Sequence, residues 1–358
     1  MHPNQSTITI AVDAMGGDYG LDVTVPASIT FLNSFNTKNR KSRTNSQSKH
    51  KIVLVGKSEL ITPLIAQHNG SQLLKQGALS IHEASEVVAM DEPPALALKR
   101  KKDSSMRVAI NLVKSGDVQA AVSAGNTGAL MATARFVLKT IAGVDRPAII
   151  STMPCRDTSH TVHMLDLGAN VDSTPEMLVQ FAVMGSALTE FVDDKPSPKV
   201  ALLNVGAEEI KGSEKVKKAS ALLSQSELNY VGYVEADEIY NGKVDVIVCD
   251  GFEGNVALKA SEGTAKMILG VLSEEFNRNW LTKILGLIAK PIFKAMQARL
   301  DPRSHNGATL LGLNGIVVKS HGGTDQIGFL QAIQEASNQA EIAVIGHIKE
   351  EISKQFSS

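Results

Sequence analysis

Short apolar runs that end in small polar loops, each followed by a helical pattern, recur along this chain. Residues 118–122 (VQAAV) are one such run and read as a buried strand. The loop Ser123-Ala124-Gly125-Asn126-Thr127-Gly128 follows at once, and residues 130–139 (LMATARFVLK) then carry apolar side chains at helical spacing. The same pattern predicts strands over residues 8–12, 52–55, 79–84, 147–153, 161–167, 200–205 and 244–249. Residues 310–318 form one more apolar stretch, punctuated by glycine. Helices are predicted from the 52–55 strand through Gln67, over 106–114 with Ser104-Ser105 as cap, over 175–189, over 256–272, and from Gln326 onward. Pro93 and Pro94 break what precedes them, and residues 95–102 read as a basic helix start.

The predicted strands are apolar throughout rather than alternating, which indicates a parallel sheet covered on both faces. The expected fold is therefore α/β: a three-layer, Rossmann-like sandwich with a mostly parallel sheet. Residues 1–358 read as a single domain of one or two lobes. Residues 36–51 (NTKNRKSRTNSQSKHK) are basic and poor in apolar side chains, and read as an exposed flexible loop.

In a sheet of this kind, ligands bind at the carboxyl ends of strands. Five strand ends carry a polar, Gly-containing loop, at Asp13, Ser123, Asp166, Asn204 and Asp250. That repetition predicts one crevice lined by all five. The 123–128 loop has two readings: an anion site built from loop N–H groups and a helix N-terminus, or an ordinary turn with a polar cap. It is neither a P-loop nor a GxGxxG turn. Gly16 and Gly17 after Asp13 mark a second tight turn. Lys99, Arg100, Lys101 and Lys102 form a cationic cluster just upstream, either a solvated helix face or a contact for phosphate or an acidic partner. Of His82, His160, His163, His305 and His321, only His321, set between Ser320 and Gly322, is a candidate helper. No paired-His metal spacing appears, so no metal and no cofactor is expected.

Composition narrows the classes. The chain has 358 residues, 43% hydrophobic and 20% charged, with a net charge of -1 and 4% aromatics. That suits a sizeable core and gives no argument for nucleic acid. Cys155 and Cys249 are too few for a disulfide framework. The first residues lack a basic, apolar leader, and no apolar run reaches membrane-spanning length, so a cytoplasmic location is expected.

Residues 276–300 (FNRNWLTKILGLIAKPIFKAMQARL) contain no acid. Arg278, Lys283, Lys290, Lys294 and Arg299 accompany large apolar side chains that include Trp280, Leu281, Leu285, Leu287 and Ile288. Gly286 and Pro291 predict a bend, hence an amphipathic helical hairpin. It fits an anionic membrane surface, a dimer interface, or a pair packed on the core.

The motifs IAVDAMGGDYG, SSMRVAINLV, VSAGNTGALMA, RPAII, LDLGANVD, ALLNVGAEEIKG, DVIVCDGFEGNVALKASEG and GATLLGLNGIVVKSHG, in this order, carry a resemblance. Together they look like the bacterial acyl-ACP:phosphate acyltransferases of phospholipid synthesis, from about residue 8 into the C-terminal region. The resemblance implies reversible transfer of an acyl group from acyl-ACP to inorganic phosphate. It also implies a fold akin to isopropylmalate dehydrogenase and phosphotransacetylase, a homodimer, and peripheral membrane association. A downstream membrane glycerol-3-phosphate acyltransferase is the implied recipient of the acyl-phosphate. Mapped onto this sequence, Ser123, Gly125, Asn126, Thr127 and Gly128 would hold phosphate or the oxyanion. Lys259 and His321 would supply charge or a proton, and Asp13, Asp166 and Asp250 would orient them. Gly16, Gly17, Asn170, Asn204 and Asn255 would line the substrate site, and Lys99 and Lys102 would meet phosphate or the carrier protein. An acyl-enzyme through either cysteine is the mechanistic rival. An acyl-CoA-dependent phosphotransacetylase, a nicotinamide dehydrogenase and a non-enzymatic membrane scaffold are the rival functions. The dehydrogenase is disfavoured by the absence of GxGxxG.

Overall fold

In the computed structural model, which describes residues 7–38, 49–157 and 160–356, the apolar runs lie side by side in one sheet. The chain opens with β1 (Thr7–Asp13), α1 (Leu21–Lys38), β2 (Lys49–Gly56), α2 (Ser58–Gln67), α3 (Ser71–Lys75) and β3 (Leu79–Glu83). It continues through α4 (Pro94–Arg100), α5 (Ser105–Ser115), β4 (Ala120–Ser123), α6 (Thr127–Leu138), β5 (Ala148–Met153) and β6 (Val162–Leu165). Then come α7 (Pro175–Val192), β7 (Val200–Leu203), α8 (Glu214–Leu223), β8 (Tyr230–Val234) and β9 (Val246–Val248). The last part holds α9 (Gly251–Asn277), α10 (Trp280–Leu300), β10 (Ala308–Leu311), β11 (Ile316–Lys319), α11 (Gln326–Glu341) and α12 (Val344–Phe356).

Successive strand residues face opposite layers. Ile10 and Val12 of β1 join the core shared with α1, α2, α7, α11 and α12, while Ala11 joins the core under α5. Ile316 and Val318 of β11 face the first layer, and Val317 faces the second, with α4, α5 and α6. Both faces are covered, so the three-layer α/β sandwich read from the sequence holds. Local signals start the helices as expected. Ser104 accepts the Arg107 N–H to cap α5, and Gly116 closes it at φ 81°. Asn126, Thr174, Ser213, Asp250 and Asp325 cap α6, α7, α8, α9 and α11 in the same way.

The sheet order is β3-β2-β1-β4-β11-β10-β5-β6-β9-β7-β8. β3, β2, β1, β4 and β11 run parallel. β10 pairs antiparallel with both β11 and β5, and β5 pairs antiparallel with β6. β6, β9, β7 and β8 are again parallel to one another. Three reversals lie between the two parallel groups, so the groups point in opposite directions. The strand ends at Asp13 and Ser123 therefore stand on one edge of the sheet, and those at Asp166, Asn204 and Asp250 on the other. The expectation of one crevice lined by all five ends does not hold within one chain.

Two further readings change. Of the 36–51 segment, residues 36–38 end α1 and residues 49–51 open β2; residues 39–48 lie outside the described residues. The hairpin is larger than residues 276–300 and turns elsewhere. Its arms are α9 and α10, it turns at Arg278-Asn279, and Gly286 and Pro291 both lie within α10. A Cβ on Gly286 would come 2.9 Å from Phe276, so this glycine lets the two arms approach rather than bend. Phe276 and Phe293 meet edge to face at 4.4 Å across the pair.

Candidate active site

On the first edge, three loops converge: 13–20 after β1, 123–128 after β4, and 319–324 after β11. Backbone bonds tie them together. Ser320 N–H donates to Ser123 O at 2.9 Å, and Asp18 N–H donates to Gly322 O at 2.9 Å. The glycines are there because the loops touch. A Cβ on Gly16 would meet Gly125 N at 2.9 Å, and one on Gly17 would meet Ala124 Cβ at 2.9 Å and Gly322 O at 3.1 Å.

Asp13 closes β1 and is buried. Its Oδ2 accepts the Ser123 hydroxyl at 2.6 Å, and Ser123 Oγ in turn accepts the Gly125 N–H at 3.0 Å. Burial pushes the Asp13 carboxyl above the ordinary range, against the pull of the Ser105 and Ser123 hydroxyls. The Ser123 hydroxyl and the Gly125 N–H, expected to bind an anion, are thus engaged with each other and with Asp13. Asn126 is engaged as well. Its Oδ1 caps α6 through Ala129 N–H at 2.9 Å, and its Nδ2 donates to Met90 O at 2.7 Å and Glu92 O at 3.2 Å. The amide is a cap and a clamp on the loop before α4.

What remains is the first turn of α6. The first N–H groups of a helix have no intrahelical acceptor. Asn126 takes that of Ala129, which leaves Thr127 and Gly128, both exposed, together with the Thr127 hydroxyl. A Cβ on Gly128 would meet Pro94 at 2.7 Å, so α4 begins against this turn.

Sequence reading missed Lys319 and Asn306. Lys319 is 8% exposed at the end of β11. Its Nζ donates to Ala124 O at 3.3 Å and to Ser320 O. Burial lowers its pKa to about 8, against the charges of Asp18 and Asp13. Asn306 holds the same loop: Nδ2 donates to Ser320 Oγ and Gly328 O, and Oδ1 accepts the His321 N–H at 2.9 Å. His321 stands exposed at the rim, its Nδ1 accepting from Gly323 N–H at 3.2 Å.

The second edge is a staple. Asp166 accepts five hydrogen bonds: from Ile149, Gly168 and Ala169 N–H on Oδ1, and from Asn170 N–H and Nδ2 on Oδ2. Burial pushes its carboxyl up while these donors hold it down. Asp250 caps α9 and accepts Ser173 N–H at 2.7 Å and Lys215 Nζ at 2.9 Å. Burial opposes ionisation of Asp250, but the Ser173 N–H and the Lys215 ammonium hold its carboxyl below the ordinary range. Gly251 and Gly254 let α9 sit on this cluster, since a Cβ there would meet Asn170 O at 2.2 Å and Asp166 O at 1.9 Å. Asn255 packs against Gly168, and Asn204 shapes the 206–212 loop through Gly206 O and Lys211 O.

Beyond the cap, Ala257 and Leu258 of α9 pack, partly buried, against the core layer that holds Ile149, Met164 and Ile247. Lys259 is exposed on that helix. Lys99 and Lys102 line a separate groove of about 430 Å³ with Arg107 and the half-exposed Phe136. Among the described residues, no group of three or more His, Cys, Asp or Glu side chains could hold a metal ion. Cys249 is buried, its thiol pushed well up by burial and by Asp166, and Cys155 donates to Tyr240 O at 3.5 Å.

Comparison with known proteins agrees with this architecture. Residues 8–346 match a family model described as fatty acid synthesis protein. The chain is 55% identical over 347 residues to a phosphate acyltransferase of Legionella pneumophila, covering 97% of this chain and 96% of that one. It is 54% identical to a phosphate acyltransferase of Chromobacterium violaceum, covering 98% and 96%. In three dimensions it is similar to a phosphotransacetylase from Streptococcus pyogenes, with a TM-score of 0.58 and 16% identity over 94% of each chain. A phosphotransacetylase from Staphylococcus aureus superposes with a TM-score of 0.55 at 17% identity, covering 96% of both. At these identities the two structures speak for the fold alone.

Proposed function

Because this chain belongs to the fatty acid synthesis protein family, we propose that it is a phosphate acyltransferase that moves a fatty acyl group from acyl-ACP to inorganic phosphate. The observation that carries the reading is near full-length likeness to proteins named phosphate acyltransferase. The first edge fits it chemically. The exposed first turn of α6 offers N–H groups to an anion, and positioning phosphate against a thioester supplies much of the acceleration.

A phosphate oxygen attacks the thioester carbonyl carbon, and the C–O bond forms as the carbonyl electrons move onto oxygen. The positive end of α6, beside the bound phosphate, stabilises the charge of that oxyanion. Collapse breaks the C–S bond and expels the carrier thiolate, leaving acyl-phosphate. Asn126 serves as a positioning residue, since its amide fixes both α6 and the 90–92 loop. No acyl-enzyme is invoked: the Cys249 thiol is buried and its pKa raised, which disfavours the reactive thiolate.

Lys99 of α4 and Lys102 just after it line a groove with Phe136 of α6 and suit an acidic donor protein. The arms of the hairpin expose Met267, Val271, Trp280, Leu281, Leu285, Leu287 and Ile288, each more than half accessible. A surface of that kind marks an interaction site. With the basic residues of α10 it supports contact with an anionic membrane and a homodimer, near the membrane glycerol-3-phosphate acyltransferase that would consume the product. No helix of the described residues is long and apolar enough to cross a membrane.

The test is turnover by purified protein with phosphate and either palmitoyl-ACP or palmitoyl-CoA, trapping acyl-phosphate as the hydroxamate. Product from palmitoyl-ACP alone supports the proposal. Product from palmitoyl-CoA alone replaces the donor, and no product from either overturns the activity.

A further inference from the structure

A lysine buried to 8% exposure needs explaining, because an ammonium leaves water only against compensating charge or hydrogen bonds. Lys319 ends β11 near the middle of the sheet, between β4 and β10. Its ammonium has three donors, and the acceptors around it are two backbone carbonyls, Ala124 O and Ser320 O. No ion pair among the described residues includes it. Asp13 and Asp18 act on its charge, yet burial outweighs both. Asp13 is itself a weak counter-charge, since burial favours its neutral form and its Oδ2 is turned to Ser123. The site thus holds an under-neutralised cation with a donor to spare, beneath the loop that leads into α6.

We infer that Lys319 binds the phosphate substrate and holds it against the first turn of α6. This rests on the acyl transfer to phosphate proposed above. The anion supplies the negative charge that the buried site lacks, and the ammonium supplies a charge-assisted hydrogen bond in addition to the α6 N–H groups. Lys319 thereby takes the role that sequence reading gave to Lys259 and His321, both of which are exposed.

Two substitutions test it. Lys319→Met keeps the length of the side chain and removes the charge; Lys319→Arg keeps the charge. Melting curves check that each folds, and Lys319→Gln replaces the Met variant if it does not. Inorganic phosphate is titrated calorimetrically into each protein without thioester, and KM is measured separately for phosphate and thioester. Lys319→Met should weaken phosphate by roughly ten- to a hundredfold in both Kd and KM, the loss of one hydrogen bond to a charged group. The thioester KM should stay unchanged, and Lys319→Arg should recover part of the phosphate affinity. A folded Lys319→Met protein with wild-type phosphate Kd and KM overturns the assignment, as does an equal loss for both substrates. If wild-type protein makes no acyl-phosphate, the proposed function falls, and the phosphate titration still decides the role of Lys319.

Discussion

Asp166 shows how much one side chain can fasten. Its five donors come from β5 and from its own loop, Gly168 to Asn170, so it joins two segments beside the start of α9. Asp166→Asn would turn an NH₂ group toward the two Asn170 donors. The expected cost is about 3 kcal/mol, read as a lower denaturant midpoint with an unchanged slope. Replacing both Cys155 and Cys249 by Ser, in contrast, should leave turnover close to wild type; complete loss would revive the acyl-enzyme. At this scale the sequence was informative where chemistry sits in a loop. Asp13, Ser123 and Gly125 are contiguous with strand ends, and their grouping follows. The commitments of Asn126 do not follow, because its partners Met90 and Glu92 lie 36 and 34 residues away. Lys319 escaped because a lysine closing an apolar run reads as a solvated strand end.

Among the elements, the α9–α10 hairpin separates composition from geometry. Its amphipathic, basic character is legible in the string of residues. Its turn is not read from Gly286 and Pro291. It is set by the capping box of Asn279 and Thr282, an N-x-x-T signal at the start of α10. Likewise residues 310–318 divide into β10 and β11 at residues 312–315, where Gly312 takes a left-handed φ of 93°. The double variant Leu287→Glu, Ile288→Glu adds two charges to a face that is 69% and 72% exposed at these positions. It should lose co-sedimentation with anionic vesicles while keeping turnover on soluble acyl-ACP. Equal sedimentation of variant and wild type would remove the hairpin from membrane contact.

For the molecule as a whole, both faces of the sheet were legible from continuous apolar strands, but strand direction was not. No local pattern distinguishes β5 or β10 from their parallel neighbours. Burial of charge also acts at this scale. The Lys319 pKa, about 8, lies below the ordinary lysine value of 10.5, so between these values the unfolded chain binds more protons. Stability therefore rises with pH across that window. Asp13, Asp18 and His321 face the same loops, so the comparison must be made against Lys319→Met. The variant should be the more stable at neutral pH, by at most on the order of 3 kcal/mol, and the two denaturant midpoints should converge above the ordinary lysine value. A midpoint difference independent of pH would mean that Lys319 carries no such penalty. The sheet order has one more consequence, in the time it takes to make the chain. β10 and β11 sit between β4 and β5, yet they are the last strands to be translated. Until they emerge, the growing chain can pair its strands only into two partial sheets, each with an open edge, and within the sheet residues 308–319 join them. Those same residues deliver Lys319, so the proposed phosphate site is completed in the step that closes the sheet, and a chain that stops short of them has neither.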